Sequence, residues 1–92
     1  MNFEKSVTRI AQAIYIASDC IARVHDLTSL ETACQAVSNV VLILAQTSPE
    51  EQQIARDRFE GLSTLGVLLV ELKAASATLN HANFAGALAH VS

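Results

Sequence analysis

Between Phe3 and Val24 the chain places an apolar residue at every fourth or third step: Phe3, Val7, Ile10, Ile14, Ala17, Ile21 and Val24. That spacing stays on one side of an α-helix, so the segment can bury one narrow stripe lengthwise against another helix. A strand cannot use it, because successive strand side chains alternate faces with a period of two. No other stretch constrains the fold as tightly, and no catalytic signature accompanies this one.

Composition extends the helical reading to the whole chain. Apolar residues make up 51% of the sequence and aromatics only 4%, so the core is aliphatic and alanine-rich. One Pro and three Gly are too few for the turns of an all-β domain. Residues 1–92 are expected to form a single helical domain with one small core. A mean hydropathy of +0.34 is high for a small monomer and predicts apolar surface covered by another chain.

Helix signals divide the chain into three. The first helix is expected over about 3–25, with Asn2 as its N-cap. Thr28 and Glu31 fit a capping box that opens a second helix over 29–46. This helix has one apolar row through Leu30, Cys34, Val37, Val41 and Leu44, and another through Ala33, Ala36, Val40 and Ile43. Apolar on two sides, it is expected to be the central helix. Ser48, Pro49 and Glu51 form the strongest local signal, a cap, a first-position proline and a second box. A third helix is read over 49–79, apolar at Ile54, Phe59, Leu62, Leu65, Leu69, Leu72 and Leu79 and closed by Asn80. The tail, 81–92, is expected to be partly ordered, with a short turn around Phe84 and Leu88.

Short connections make the first two helices antiparallel. Ile21 then comes level with Ala33, Ala17 with Val37, Ile14 with Val40 and Ile10 with Leu44, apolar against apolar throughout. The same construction carries a straight third helix roughly 20 Å past the hairpin at 1.5 Å per residue. The overhang begins near Val67 and includes the most apolar part of the helix. Either the helix breaks near Gly61 or Gly66 and returns as a fourth, or it stays straight and pairs with a second copy. The straight helix is the favoured reading. The expected fold is all-α: an antiparallel helical hairpin plus a long third helix, completed by homodimerisation. Leu65, Leu68, Leu69 and Leu72 are the expected self-association row.

Candidate chemistry is sparse. Cys20 and Cys34 fall level across the hairpin, but without a Cys-x-x-Cys they read as small buried apolar residues. None of the glutamates is followed three residues later by His25, His81 or His90, as a carboxylate-bridged bundle site requires. No metal, haem or other cofactor is expected. Neither a Gly-x-Ser-x-Gly elbow nor a phosphate-binding glycine loop occurs, so the chain is not expected to be an enzyme. The net charge is −3 and the six cations are scattered, which disfavours a nucleic-acid partner. The N-terminus lacks a signal-peptide pattern, and the longest purely apolar run, Val40 to Ala45, is far below a membrane span. A cytoplasmic protein of bacterial or phage origin is expected.

Recognition remains. Tyr15 projects from the first helix on the side away from the 4-3 stripe, with Asp19 one turn on, and Arg56 and Arg58 lie on the polar start of the third helix. These four are the candidate protein-binding residues. The expected function is a non-enzymatic helical module that binds a larger protein as adaptor, regulator or inhibitor. The alternatives are an acidic homodimer that binds nucleic acid and a bundle that carries a ligand or cofactor.

Overall fold

The structure, a computed structural model, describes the backbone of residues 3–91 and the side chains of residues 3–80. The described chain is all-helical: α1 (Phe3–Ala22), α2 (Leu27–Ala45), α3 (Pro49–Arg58) and α4 (Leu65–Val91). The expected cap at Asn2 lies outside the described residues.

The first connection is tighter than the sequence pattern implied. The Arg23 and Val24 amides donate to the Cys20 and Ile21 carbonyls at 3.3 and 3.2 Å, a narrowed turn that ends α1 at Ala22. Asp26 then caps α2. Its Oδ1 accepts from the Ser29 amide at 2.8 Å, while Ser29 Oγ accepts from the Asp26 amide at 3.0 Å. The capping box is therefore Asp26 with Ser29, not Thr28 with Glu31. Aspartate is as good an acceptor at an N-cap as Ser or Thr, and the short turn delivers the chain to Asp26 first. At α3 the Glu51 amide donates to Ser48 Oγ at 3.1 Å and the Ser48 amide to Glu51 Oε1 at 3.0 Å, with Pro49 in the first turn. Gln52 adds a lock, its Nε2 donating to the Leu44 carbonyl at 3.1 Å and to Thr47 Oγ1 at 3.3 Å. The Leu44 carbonyl also accepts from the Thr47 amide at 3.3 Å, so Gln52 ties the end of α2 to the start of α3.

The continuous helix over 49–79 does not form. The chain leaves the helix at Phe59 (φ −110, ψ 99) and turns through Gly61 at φ +76, a left-handed conformation that side chains with a Cβ adopt only at a cost. Thr64 restarts it, its Oγ1 accepting from the Val67 amide at 3.2 Å. Gly66, the other suspected break, lies inside the first turn of α4. Asn80 is not an end either, since α4 continues through it to Val91.

The centre of the bundle is α1, not α2. It packs against α2, α3 and α4, and its stripe of Val7, Ile10, Ile14, Ala17 and Ile21 is buried. From α2 Ala33, Val37, Val40 and Ile43 are buried, so the row through Leu30, Cys34, Val41 and Leu44 is left at or near the surface apart from Val37. The expected levels Ile21–Ala33, Ala17–Val37 and Ile14–Val40 are buried on both sides, and Leu44 opposite Ile10 is half-buried.

α4 packs on α2 and α1. The break has shifted it along the hairpin: Ala75, Thr78 and Leu79 lie beside Val24 and His25 at the turn. A straight helix would have passed that turn by about Val70, at 1.5 Å per residue. Leu68 is thereby drawn into the core at 0% exposure, and Leu65 and Leu72 pack against it half-buried. From Leu79 to Val91 the backbone continues for roughly another 18 Å of helix. The molecule is accordingly long, 63 × 19 × 16 Å. Its radius of gyration is 16.2 Å, where a compact chain of this length has about 12 Å.

Candidate functional site

The flank of α1 that faces α3 carries the aromatic candidate. Tyr15 lies one position beyond the buried Ile14, which turns its ring out of the core to 46% exposure. Phe59, freed from helical geometry as the cap of α3, meets that ring edge-on, with centroids 6.5 Å apart at 82°. Such a pair holds the Tyr15 ring without consuming its outer face or its hydroxyl. One turn on, Asp19 pairs with Arg23 at 3.1 Å, both well exposed.

The two arginines sit differently. Arg58 reaches back to Glu4 at 3.5 Å, tying the end of α3 to the start of α1. Arg56 donates to Gln53 Oε1 at 3.2 Å, and Gln53 Nε2 donates to Asp57 Oδ1 at 2.9 Å, a chain of polar contacts along α3 itself. Tyr15 and Asp19 therefore form one patch, while the heads of Arg56 and Arg58 are directed to other partners. All these ion pairs are solvated and contribute little to stability. Phe59 is the residue that sequence reasoning missed here. Its position in an apolar stripe hid a role that depends on the helix stopping at Arg58.

The expected self-association row changes character in the same way. Leu68 is a core residue and Leu65 and Leu72 are half-buried within the chain, so Leu69 alone stays exposed, at 48%. Exposed apolar side chains occur on three helices: Ile16 on α1 (59%), Leu27, Val41 and Leu42 on α2 (67%, 43% and 61%), and Val67 and Val70 beside Leu69 on α4 (45% and 69%). Cys34, on α2, is exposed, and Cys20 is half-buried; both thiols are free. Cys34 is thus not the buried residue expected. Of these α2 residues only Cys34 and Val41 belong to an apolar row read from the sequence.

Two carboxylates have acidities shifted by their caps. Hydrogen bonds from the Ser29 amide and hydroxyl hold Asp26 below its ordinary value. The Ser48 amide, with Ser6 from α1, does the same for Glu51. Both shifts are explained by capping and need no catalytic role. No group of three or more His, Cys, Asp or Glu among the described residues is placed to hold a metal ion. His81 and His90 have side chains outside the described residues. Val24, His25, Ala75, Thr78 and Leu79 line a shallow cleft of about 280 Å³ between the hairpin turn and α4. By length and composition α2 also meets the requirement for a bilayer span, with a mean hydropathy of 1.4, though its inner row is packed on α1 and α4.

Fold and surface together define a small all-α bundle with an elongated profile and apolar side chains on its outer faces. The chain matches no family model, and no curated protein or solved structure matches it significantly.

Proposed function

We propose that this chain is a small non-enzymatic, cytoplasmic protein-binding module, acting as a homodimer on a larger protein as adaptor, regulator or inhibitor. The carrying observation is its surface. Large apolar side chains stand exposed on α1, α2 and α4, among them Ile16 at 59%, Leu42 at 61% and Val70 at 69%. Tyr15 supplies the anchor for the larger protein, because tyrosine presents a rigid apolar ring with a hydroxyl at its edge and loses little conformational freedom on binding. Its support from Phe59 keeps the ring oriented before the partner arrives.

The test is affinity capture from the native cell, comparing the unaltered chain with Tyr15→Ala and with Arg56→Ala. A partner identified by mass spectrometry should bind at least about tenfold more weakly to Tyr15→Ala, in the range of an interface anchor. Arg56→Ala, engaged along its own helix, should lose little. Equal recovery of the same proteins on all three chains would remove Tyr15 as the anchor.

A further inference from the structure

Three of the helices pack on one another as a closed set: α1 meets α2 and α4, and α2 meets α4. α3 stands outside that set and packs chiefly on α1. Its sequence, PEEQQIARDR, is the most polar of the helices, and Ala55 is the only residue in it that is fully buried. Ile54 and Phe59, both half-buried, complete its apolar contact with the core around Ala55. Its ends are held to α1 by polar contacts, the Glu51 carboxylate by Ser6 and Arg58 by Glu4 at 3.5 Å. Such pairs near the surface contribute little. Non-helical chain lies on both sides of α3, residues 46–48 before it and 59–64, with Gly61, after it.

From this we infer that α3 is a hinged clip, which releases from α1 as one unit while α1, α2 and α4 stay packed, and which carries Phe59 away from Tyr15 when it does. The physical basis is the uneven distribution of apolar contact. Elements with few buried contacts open at lower free energy than the core, in contiguous cooperative units. Releasing α3 gives up the burial of Ala55, Ile54 and Phe59. Separating α1 from α2 gives up Ile14, Ala17 and Ile21 against Val40, Val37 and Ala33, all buried. A ten-residue helix is also too short to persist in water without the surface it packs on, so release melts it. Tyr15 registers the event. With α3 docked, Phe59 holds the ring edge-on at 6.5 Å. With α3 released that support is gone, and a partner binding Tyr15 must order the ring itself, which weakens association. That regulation rests on the proposal that Tyr15 anchors a partner, whereas the opening does not.

Hydrogen exchange on the full chain reads the opening. The amides from Gln52 to Phe59 donate to carbonyls one turn back, at 3.1 Å and 2.9 Å at the two ends of this run. Corrected for intrinsic rates, they should exchange as a block at least about tenfold faster than the amides of the buried stretch of α1. Phe59 is the last of the block, so its rate shows whether the ring support leaves with α3. Val37→Ala weakens the α1–α2 seam, which stays closed when α3 opens. It should speed exchange in α1 and α2 by at least about tenfold and leave α3 unchanged. Ala55→Gly weakens α3 alone and should speed all of its amides by a common factor of about five. Protection of α3 equal to that of α1 overturns the clip. So does acceleration of α3 in step with α1 and α2 in Val37→Ala, or an Ala55→Gly effect confined to the amides next to the substitution. Each of those results leaves Tyr15 standing as the anchor, and loss of the anchor in the capture experiment leaves the clip standing.

Discussion

Gly61 and Gly66 look equivalent in the sequence, each a glycine beside small residues, yet the structure uses them oppositely. Gly61 sits at φ +76 with open space where a Cβ would stand, so an added methyl meets backbone strain and no steric wall. Gly61→Ala is expected to cost about 1 kcal/mol. At Gly66 an added Cβ meets only Thr64 Oγ1 at an ordinary 3.8 Å, within helical backbone. Gly66→Ala should therefore stabilise by about 0.5 kcal/mol, chiefly by restricting the unfolded chain. Urea unfolding of the two variants distinguishes them by sign. Equal effects would mean that the break is not fixed at Gly61.

At the scale of elements the chain relies on capping. The boxes at Asp26–Ser29 and Ser48–Glu51 set where α2 and α3 begin, and both depend on an ionised carboxylate. Asp26 and Glu51 have acidities shifted below their ordinary values of 3.8 and 4.5. A carboxylate lowered on folding binds fewer protons in the folded than in the unfolded state. Its stabilisation is fully present above the unfolded value and is lost as pH falls through the folded one. Thermal unfolding should therefore move to lower temperature as pH drops below about 4.5, where these carboxylates begin to titrate. Asp26→Asn with Glu51→Gln should flatten that dependence. An unchanged pH profile in the double variant would show that the caps are not its source. The Ser48–Pro49–Glu51 start was legible because cap, proline and reciprocal glutamate all lie within four residues. At the start of α2 the sequence pattern pointed to Thr28 with Glu31, and the narrowed turn after α1 put the box at Asp26 and Ser29 instead.

For the molecule as a whole, the decisive event is the shift of α4 along the hairpin. It turns Leu68 into a core residue at 0% exposure while Leu69, its neighbour, faces outward. Leu68→Ala is expected to cost about 3 kcal/mol, independent of protein concentration, as cavity-forming core truncations do. Leu69→Ala should stay within about 0.5 kcal/mol. Chemical denaturation at two protein concentrations tests both, and a concentration-dependent loss at Leu68 would return it to an intermolecular seam.

The all-helical class and the pairing of α1 with α2 were determined by the sequence alone. Both follow from spacing within short segments: a 4-3 stripe has one face, and two such faces joined by a short turn can pair in only one level. The Ser48 cap is equally local. Only the tertiary structure decided that α1 rather than α2 is central, that the third segment breaks at Gly61, and that Tyr15 stands on Phe59. Those outcomes depend on how much apolar surface each register buries across the whole bundle. Burial is a property of the assembled helices, and no window of the chain contains it.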